Sequence, residues 1–168
     1  NSSEGPTFSK KSVVYGWVQA RESLRHNLPL VVAEGYMDVI AIHKTGLAAA
    51  VAPLGTALTP EQISLLWKLH DEPVLCFDGD TAGQRAQMRA LERILPLLEP
   101  GRSIRFAVLP EGNDPDDLIR ASGYDEFQKV ISTASSLIDS LWFSLQKEYD
   151  LIQPETRAKF WQAVRGHV

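Results

Sequence analysis

An α/β fold, with a central parallel sheet flanked by helices, is what this sequence predicts, and three observations predict it. Short, wholly apolar runs recur at residues 30–33 and 74–77 and read as strands buried on both faces, and residues 104–109 read as another strand. Each gives way to turn residues and then to helical periodicity, the strand–turn–helix order of a parallel sheet. From about Ser122 the pattern is helical throughout, so the sheet has a helical lead-in before it and a helical segment after it.

Residues 1–9 are polar, carry Gly5 and Pro6, and read as an extended lead-in. Residues 12–26 turn helical, with Val13, Val14, Trp17, Val18 and Leu24 sharing a face. Lys10, Lys11, Arg21 and Arg25 give this part a small basic surface, either a grip for phosphates or an ordinary solvated face. The first strand pattern, 30–33, ends in Glu34-Gly35. A helix over 36–44 follows, with Asp38 in its first turn, where negative charge complements the helix dipole.

Residues 47–52 are alanine-rich and fit either strand or helix. Their place between Gly46 and the Pro53-Leu54-Gly55 turn favours a strand. Thr59-Pro60-Glu61-Gln62 is a capping box, with Thr as N-cap, Pro at the first helical position and Gln three residues on. The helix it opens packs with Ile63, Leu66, Trp67 and Leu69 and stops near Asp71. After the strand at 74–77 and the Asp78-Gly79-Asp80 turn, a helix over 81–98 is expected to bury Ala82, Ala86, Leu91, Ile94 and Leu95. Arg85 and Arg89, four apart on it, reach either toward the acidic edge or into solvent.

Pro100-Gly101 turns the chain into the strand at 104–109. Asp114 then caps a helix with Pro115 in its first position, and Asp116 and Asp117 suit its dipole. Beyond it come a short helix at 124–132, an amphipathic stripe of Leu137, Ile138, Leu141, Trp142, Leu145 and Tyr149, and a last helix from Pro154 with Phe160, Trp161 and Val164. These stripes read as packing surfaces. The pattern breaks off at Val168 without a cap, as expected of a piece of a longer protein.

Caps and turns account for each acidic site singly, but not for their convergence. Three of the four strands end in carboxylates: Glu34, the Asp78/Asp80 pair, and Asp114 with Asp116. Crossovers in a parallel sheet bring such ends to one edge, where ligands of these folds gather. Like charges gathered there raise one another's pKa or demand cations, so a divalent-metal site is expected. Composition sets bounds on this reading. With 168 residues, 44% hydrophobic and 23% charged, the chain holds one good-sized domain or one plus an appendage. Its net charge of −4 argues against a protein that merely coats nucleic acid. The single cysteine, Cys76, precludes an internal disulfide and fits a reducing compartment. No apolar run approaches the roughly 20 residues a bilayer crossing needs, so no membrane is expected, and no secretory signal is visible.

Three strings carry a resemblance: Val31-Val32-Ala33-Glu34-Gly35-Tyr36-Met37-Asp38-Val39, Phe77-Asp78-Gly79-Asp80-Thr81-Ala82-Gly83, and Gly112-Asn113-Asp114-Pro115-Asp116-Asp117-Leu118. They resemble the Toprim module of bacterial replicative DNA primases of the DnaG type. The opening Asn1-Ser2 to Lys10, followed by Tyr15-Gly16, is similar to the segment just ahead of that module. Specific motifs cover about residues 1–132, and the Glu-Gly-Tyr-Met-Asp-Val string favours primase over topoisomerase or nuclease relatives. Departures at Ser3, Gly5, Lys11 and Ala33 touch no carboxylate.

The resemblance implies a Toprim-like parallel sheet and synthesis of short RNA primers from nucleoside triphosphates on single-stranded DNA, dependent on Mg²⁺ or Mn²⁺. It implies a division into the end of an amino-terminal subdomain (1–28), the Toprim domain (29–132) and the start of a helical subdomain (133–168). Glu34, Asp78 and Asp80 match the family's central metal-binding and catalytic residues, and Asp38, Asp114 and Asp116 the further acidic positions. Glu34 is either a metal ligand or the proton acceptor for the primer 3′-hydroxyl. Lys10 matches a basic position for template or nucleotide handling, with Lys11 and Arg21 nearby. The implied setting is the cytoplasmic bacterial replisome, with the replicative helicase met through a region absent here. Zinc is expected only in a domain absent from this chain, because no Cys/His set exists here to hold it. Weak template binding and little priming are therefore expected of these residues alone.

Two alternatives fit parts of the sequence. A haloacid-dehalogenase-type phosphatase also carries Asp-x-Asp after a buried strand, but it wants Thr or Val where Ala82 stands and places the motif on its first strand. A non-catalytic metal-binding or interaction module would use the acidic edge only to hold structure or a partner.

Overall fold

The computed structural model describes residues 13–55, 58–148, 153, 155–156, 158–160 and 162. Lys10, Lys11, the lead-in over 1–9 and parts of the helix expected from Pro154 lie outside the described residues. In chain order the elements are β1 (Val14–Tyr15), α1 (Trp17–Leu24), β2 (Leu30–Val32), α2 (Tyr36–Thr45), β3 (Ala49–Pro53), α3 (Pro60–Leu69), β4 (Val74–Phe77), α4 (Thr81–Ile94), β5 (Arg105–Val108), α5 (Pro115–Ser122), α6 (Tyr124–Ser132), β6 (Ser135–Ser136) and α7 (Leu137–Glu148).

The strands form one sheet in the order β1-β3-β2-β4-β5-β6. Its centre is parallel, as expected: β3, β2, β4 and β5 pair side by side in one direction, with Val32 opposite both Val51 and Leu75. The two-residue edge strands are antiparallel. The apolar runs are explained by burial on both faces. Leu30, Val32, Leu75, Phe77 and Phe106 point into a core with α1, α3, α4 and α7. Their alternates Val31, Ala33, Val74, Cys76 and Ala107 point into a second core with α2, α5 and α6. In β2 and β4 polar alternation is absent because neither face meets water.

The capping box of α3 forms as read: Thr59 Oγ1 accepts from the Gln62 N–H and Gln62 Oε1 from the Thr59 N–H. Gln62 is fully buried, and its Nε2 also donates to the carbonyls of Val13 and Leu54, which ties β1 to the sheet through α3.

Four local readings are corrected. The helix expected over 12–26 begins only at Trp17, since Val14 and Tyr15 pair with Pro53 and Ala52 and Gly16 turns the chain at φ 82°. The helix expected over 81–98 ends at Ile94 and tightens into a 3₁₀ turn at Leu95–Leu97, because Pro96 has no N–H to continue the ladder. Ala82 is exposed, not buried, as the first turn of α4 stands beyond the strand ends. Nothing in the sequence signals the strand β6. Two serines have little strand preference, but the Arg105 guanidinium gathers the carbonyls of Ser132 and Ala134 and brings the chain to the edge of β5.

Candidate acidic site at the strand ends

The order β3-β2-β4 gives the sheet a switch point. The chain leaves β2 for β3 on one side through α2, then returns to β4 on the other side, and such a crevice outside the strand ends is where ligands of these folds bind. Glu34 follows β2 and Asp78 follows β4, so the two carboxylates flank this crevice. The Asp78 backbone N–H lies near enough to the Glu34 carboxylate to favour its charged form, which brings the two loops together.

The Asp78-Gly79-Asp80 turn also lies hard against the loop after β5. The Gly79 N–H donates to the Asn113 carbonyl at 3.5 Å, and Leu109 N–H continues the ladder to Phe77 O at 3.1 Å. A methyl group built on Gly79 would overlap the carbonyl oxygens of Leu109 and Pro110, and one on Gly83 would overlap that of Asp78. Glycine is needed at both places for close backbone approach. The result draws Asp114 toward Asp78.

Each remaining acid has a structural partner. Asp80 Oδ1 caps α4, accepting from the Gly83 N–H at 2.7 Å, and Asp114 Oδ1 caps α5, accepting from the Asp117 N–H at 2.7 Å. Asp38 is buried and bridges two helices: Oδ2 accepts from Gly35 N–H at 3.1 Å and Oδ1 from Asp116 N–H at 3.4 Å. It thereby fixes the start of α5 against α2. Asp116 pairs with Arg120 one turn on. Arg21 lies exposed on α1, whose course runs from the Tyr15 end back toward the start of β2 and so away from the carboxylates.

The electrostatics show one coherent negative site. Burial raises the Asp38 carboxyl to about 6, aided by Asp114 and Asp78 and opposed by its two backbone hydrogen bonds. Burial likewise raises Asp78 to about 6, with Glu34, Asp114 and Asp80 adding repulsion. Glu34 is raised too, chiefly by burial, then by Asp80 and Asp38. Burial pushes up the Cys76 thiol beneath them, and Asp78, Asp38 and Glu34 push it further. Among the described residues no ion pair reaches Glu34, Asp78 or Asp80. Arg89 acts on Glu34 only through space.

The donor set, all carboxylate oxygen and short of positive charge, suits a hard divalent cation. Among the described residues no three His, Cys, Asp or Glu side chains close on one point as a ready ligand cage. That spacing accords with an ion that keeps several waters and takes one or two carboxylates directly. Beside Glu34 a cavity of about 290 Å³ opens between the sheet and α4, walled by Val32, Leu75, Phe77 and Ala90 and flanked by Arg89 and Arg93.

The raised carboxyls predict a pH dependence of stability. An unfolded Asp loses its proton near 3.8, whereas Asp38 and Asp78 in the fold hold theirs to about 6. Between those values the folded chain binds more protons, so its stability falls as pH rises. With solvent screening allowed for, the loss is about 1 kcal/mol. Without divalent cation, the melting temperature should drop by about 2–4 °C between pH 4.5 and 7. Asp78→Asn should flatten that slope, as scanning calorimetry in EDTA would show.

Residues 29–108 match the Toprim domain family. Over 159 residues the chain is 42% identical to the DNA primase of Pasteurella multocida, a stretch covering 95% of this chain and 27% of that protein. The fold is similar to the structure of a DnaG catalytic core, with TM-score 0.91 and 39% identity, covering 99% of this chain and 54% of the other. It is also similar to a DnaG primase catalytic domain bound to single-stranded DNA, with TM-score 0.89 and 39% identity over 97% of this chain and 53% of the other. The chain thus spans about a quarter of the curated relative it matches. No helix among the described residues is long and apolar enough to cross a membrane. The phosphatase alternative gains no support: Asp78 and Asp80 follow the third of four parallel strands, and the relatives are primases. With a Toprim domain at its centre and primase likeness along nearly all its length, the chain belongs to the DnaG-type bacterial DNA primase family.

Proposed function

We propose that this chain carries the metal-dependent catalytic site of a primase that joins ribonucleotides on a single-stranded DNA template. The observation that supports it most is the convergence of Glu34, Asp78 and Asp80, with Asp38 and Asp114 behind them, on the switch point of the sheet. Asp78 and Asp80 are the residues to hold Mg²⁺ or Mn²⁺, with Glu34 either a third ligand or the group that takes the proton from the primer 3′-hydroxyl. A bound divalent ion supplies positive charge for the attacking and leaving oxygens of phosphoryl transfer.

The chain's own residues perform the rest. Though exposed at its rim, the Glu34 carboxyl is held raised by partial desolvation and by the charges of Asp80 and Asp38, which increases its affinity for a proton. Asp38 holds the Asp114 helix in place through the Asp116 N–H. Gly79 seats the Asp78 turn against the β5–α5 loop, so the carboxylates keep their spacing without a covalent tie. Attack of the 3′-hydroxyl on the α-phosphorus forms the new ester bond and expels pyrophosphate, and the displaced proton passes to Glu34 or to water. Template, nucleoside triphosphates and primer are all substrates of the longer protein on this reading. Lys10, Lys11 and Arg21 are assigned to template or nucleotide handling there, on the family resemblance alone.

Titration with Mn²⁺, followed by electron paramagnetic resonance, tests the site directly. Saturable binding is expected of the wild-type chain and should vanish in the Asp78→Asn, Asp80→Asn double variant. Equal binding by both would leave a non-catalytic acidic surface as the better account.

A further inference from the structure

The same edge of the sheet carries an aromatic surface that the acidic chemistry does not use. Tyr15 ends β1 and is 39% exposed; Tyr36 opens α2 and is 61% exposed; Met37 beside it is 53% exposed. The two tyrosine rings meet edge to face, with centroids 6.1 Å apart at 66°. Neither ring belongs to the two apolar cores. An edge-to-face contact of this kind covers only one face of one ring and leaves the remaining faces unstacked.

The register fixes where this pair stands. Tyr15 is opposite Ala52, one residue beyond the Val32–Val51 pair, which sets it level with Ala33, the residue before Glu34. Two strand spacings of roughly 4.8 Å separate β1 from β2, so the Tyr15 and Glu34 backbones lie about 10 Å apart. At about 3.4 Å per stacked nucleotide, that is the reach of about three nucleotides. A groove of about 360 Å³ leads from Tyr15 between α1 and α2, past Gln19 and Ile40 to Lys44. Lys44 is exposed, eight residues along α2 from Tyr36 and so about 12 Å from it. No carboxylate is among the groove's walls, in contrast with the strand ends beside it.

Resting on the primase reading above, we propose that the Tyr36–Tyr15 pair stacks one base of the single-stranded DNA template, and that the α1–α2 groove with Lys44 takes the adjoining phosphates. An open aromatic face accepts any base, which suits an enzyme that copies varied sequence. A cation at one phosphate spacing or more from the stacked base holds the strand's path without reading it. The strand so held passes over the edge where Glu34 and Asp78 stand.

Fluorescence anisotropy of a labelled oligothymidylate at low salt tests this with the wild-type chain, Tyr36→Ala, Tyr36→Phe and Lys44→Gln. A second strand of equal length, abasic at every position, isolates the contribution of the bases. Tyr36→Ala should bind the thymidylate strand about tenfold more weakly, and Tyr36→Phe within about twofold of wild type. Wild type should lose affinity on the abasic strand, whereas Tyr36→Ala should bind both strands alike. Lys44→Gln should reduce the slope of log affinity against log salt by about 0.7. Failure of the wild type to bind the thymidylate strand, wild-type affinity in Tyr36→Ala, equal loss in Tyr36→Phe, an undiminished penalty on the abasic strand, or an unchanged salt slope in Lys44→Gln would overturn the proposal. Mn²⁺ binding measured on the same proteins keeps the two readings apart: its loss in wild type removes the metal site and leaves the stacking result standing.

Discussion

Glu34→Gln, placed in a primase polymerase domain that contains this segment, should lower primer synthesis about a thousandfold, or about 4 kcal/mol in the barrier. The substitution is chosen because it changes charge and little else. Glutamine keeps an oxygen facing the Asp78 N–H, so the approach of the β2 and β4 loops survives. It removes one of the like charges that raise Asp78, so the metal-free fold should become slightly more stable while activity collapses. Opposite signs in stability and rate separate a functional group from a structural one. The accompanying Mn²⁺ titration then assigns the role: intact binding makes Glu34 the proton acceptor, and lost binding makes it a ligand. A rate within tenfold of wild type would remove Glu34 from the chemistry altogether.

What could be read from the residues depended on how local the cause was. The central strands were legible because a strand covered on both faces must be apolar at every position, as 74–77 is. The caps of α3, α4 and α5 were legible because a cap and its N–H lie three residues apart. The carboxylate cluster was legible at one remove, since alternating strands and helices bring strand ends together before any contact is known. Interactions across long stretches of sequence were not legible. Asp38 read as a helix-dipole residue, yet it also ties down the N–H of Asp116, 78 residues away. Tyr15 and Tyr36 show no sign in the sequence that they meet. The strand β1 was hidden because Val13 and Val14 continue the helical spacing of Trp17, and only the pairing of Tyr15 with Ala52 breaks it.

Gly79→Ala carries the largest expected effect on the fold itself. Turn preference alone makes this glycine unremarkable: it has no positive φ, so alanine there would ordinarily gain about 0.4–1 kcal/mol by restricting the unfolded chain. Sterics decide the other way. The added methyl would overlap the carbonyl oxygens of Leu109 and Pro110, and these are backbone atoms that no rotamer change can move. Relief requires the Asp78 turn and the β5–α5 loop to part, breaking the hydrogen bond from Gly79 to Asn113 and drawing Asp78 from Asp114. Against the small entropic gain, overpacking of this kind costs about 3 kcal/mol. The melting temperature should fall by about 6–12 °C. Gly46→Ala provides the comparison: that glycine caps α2 at φ 69° with nothing near its Cβ position, so only backbone strain of about 1 kcal/mol applies. Thermal and urea denaturation of the two variants should therefore rank Gly79→Ala well below Gly46→Ala, and Mn²⁺ binding should weaken only in the former. The reverse ranking would mean that the two acidic loops are not held by this contact, and that the spacing of the carboxylates has another origin.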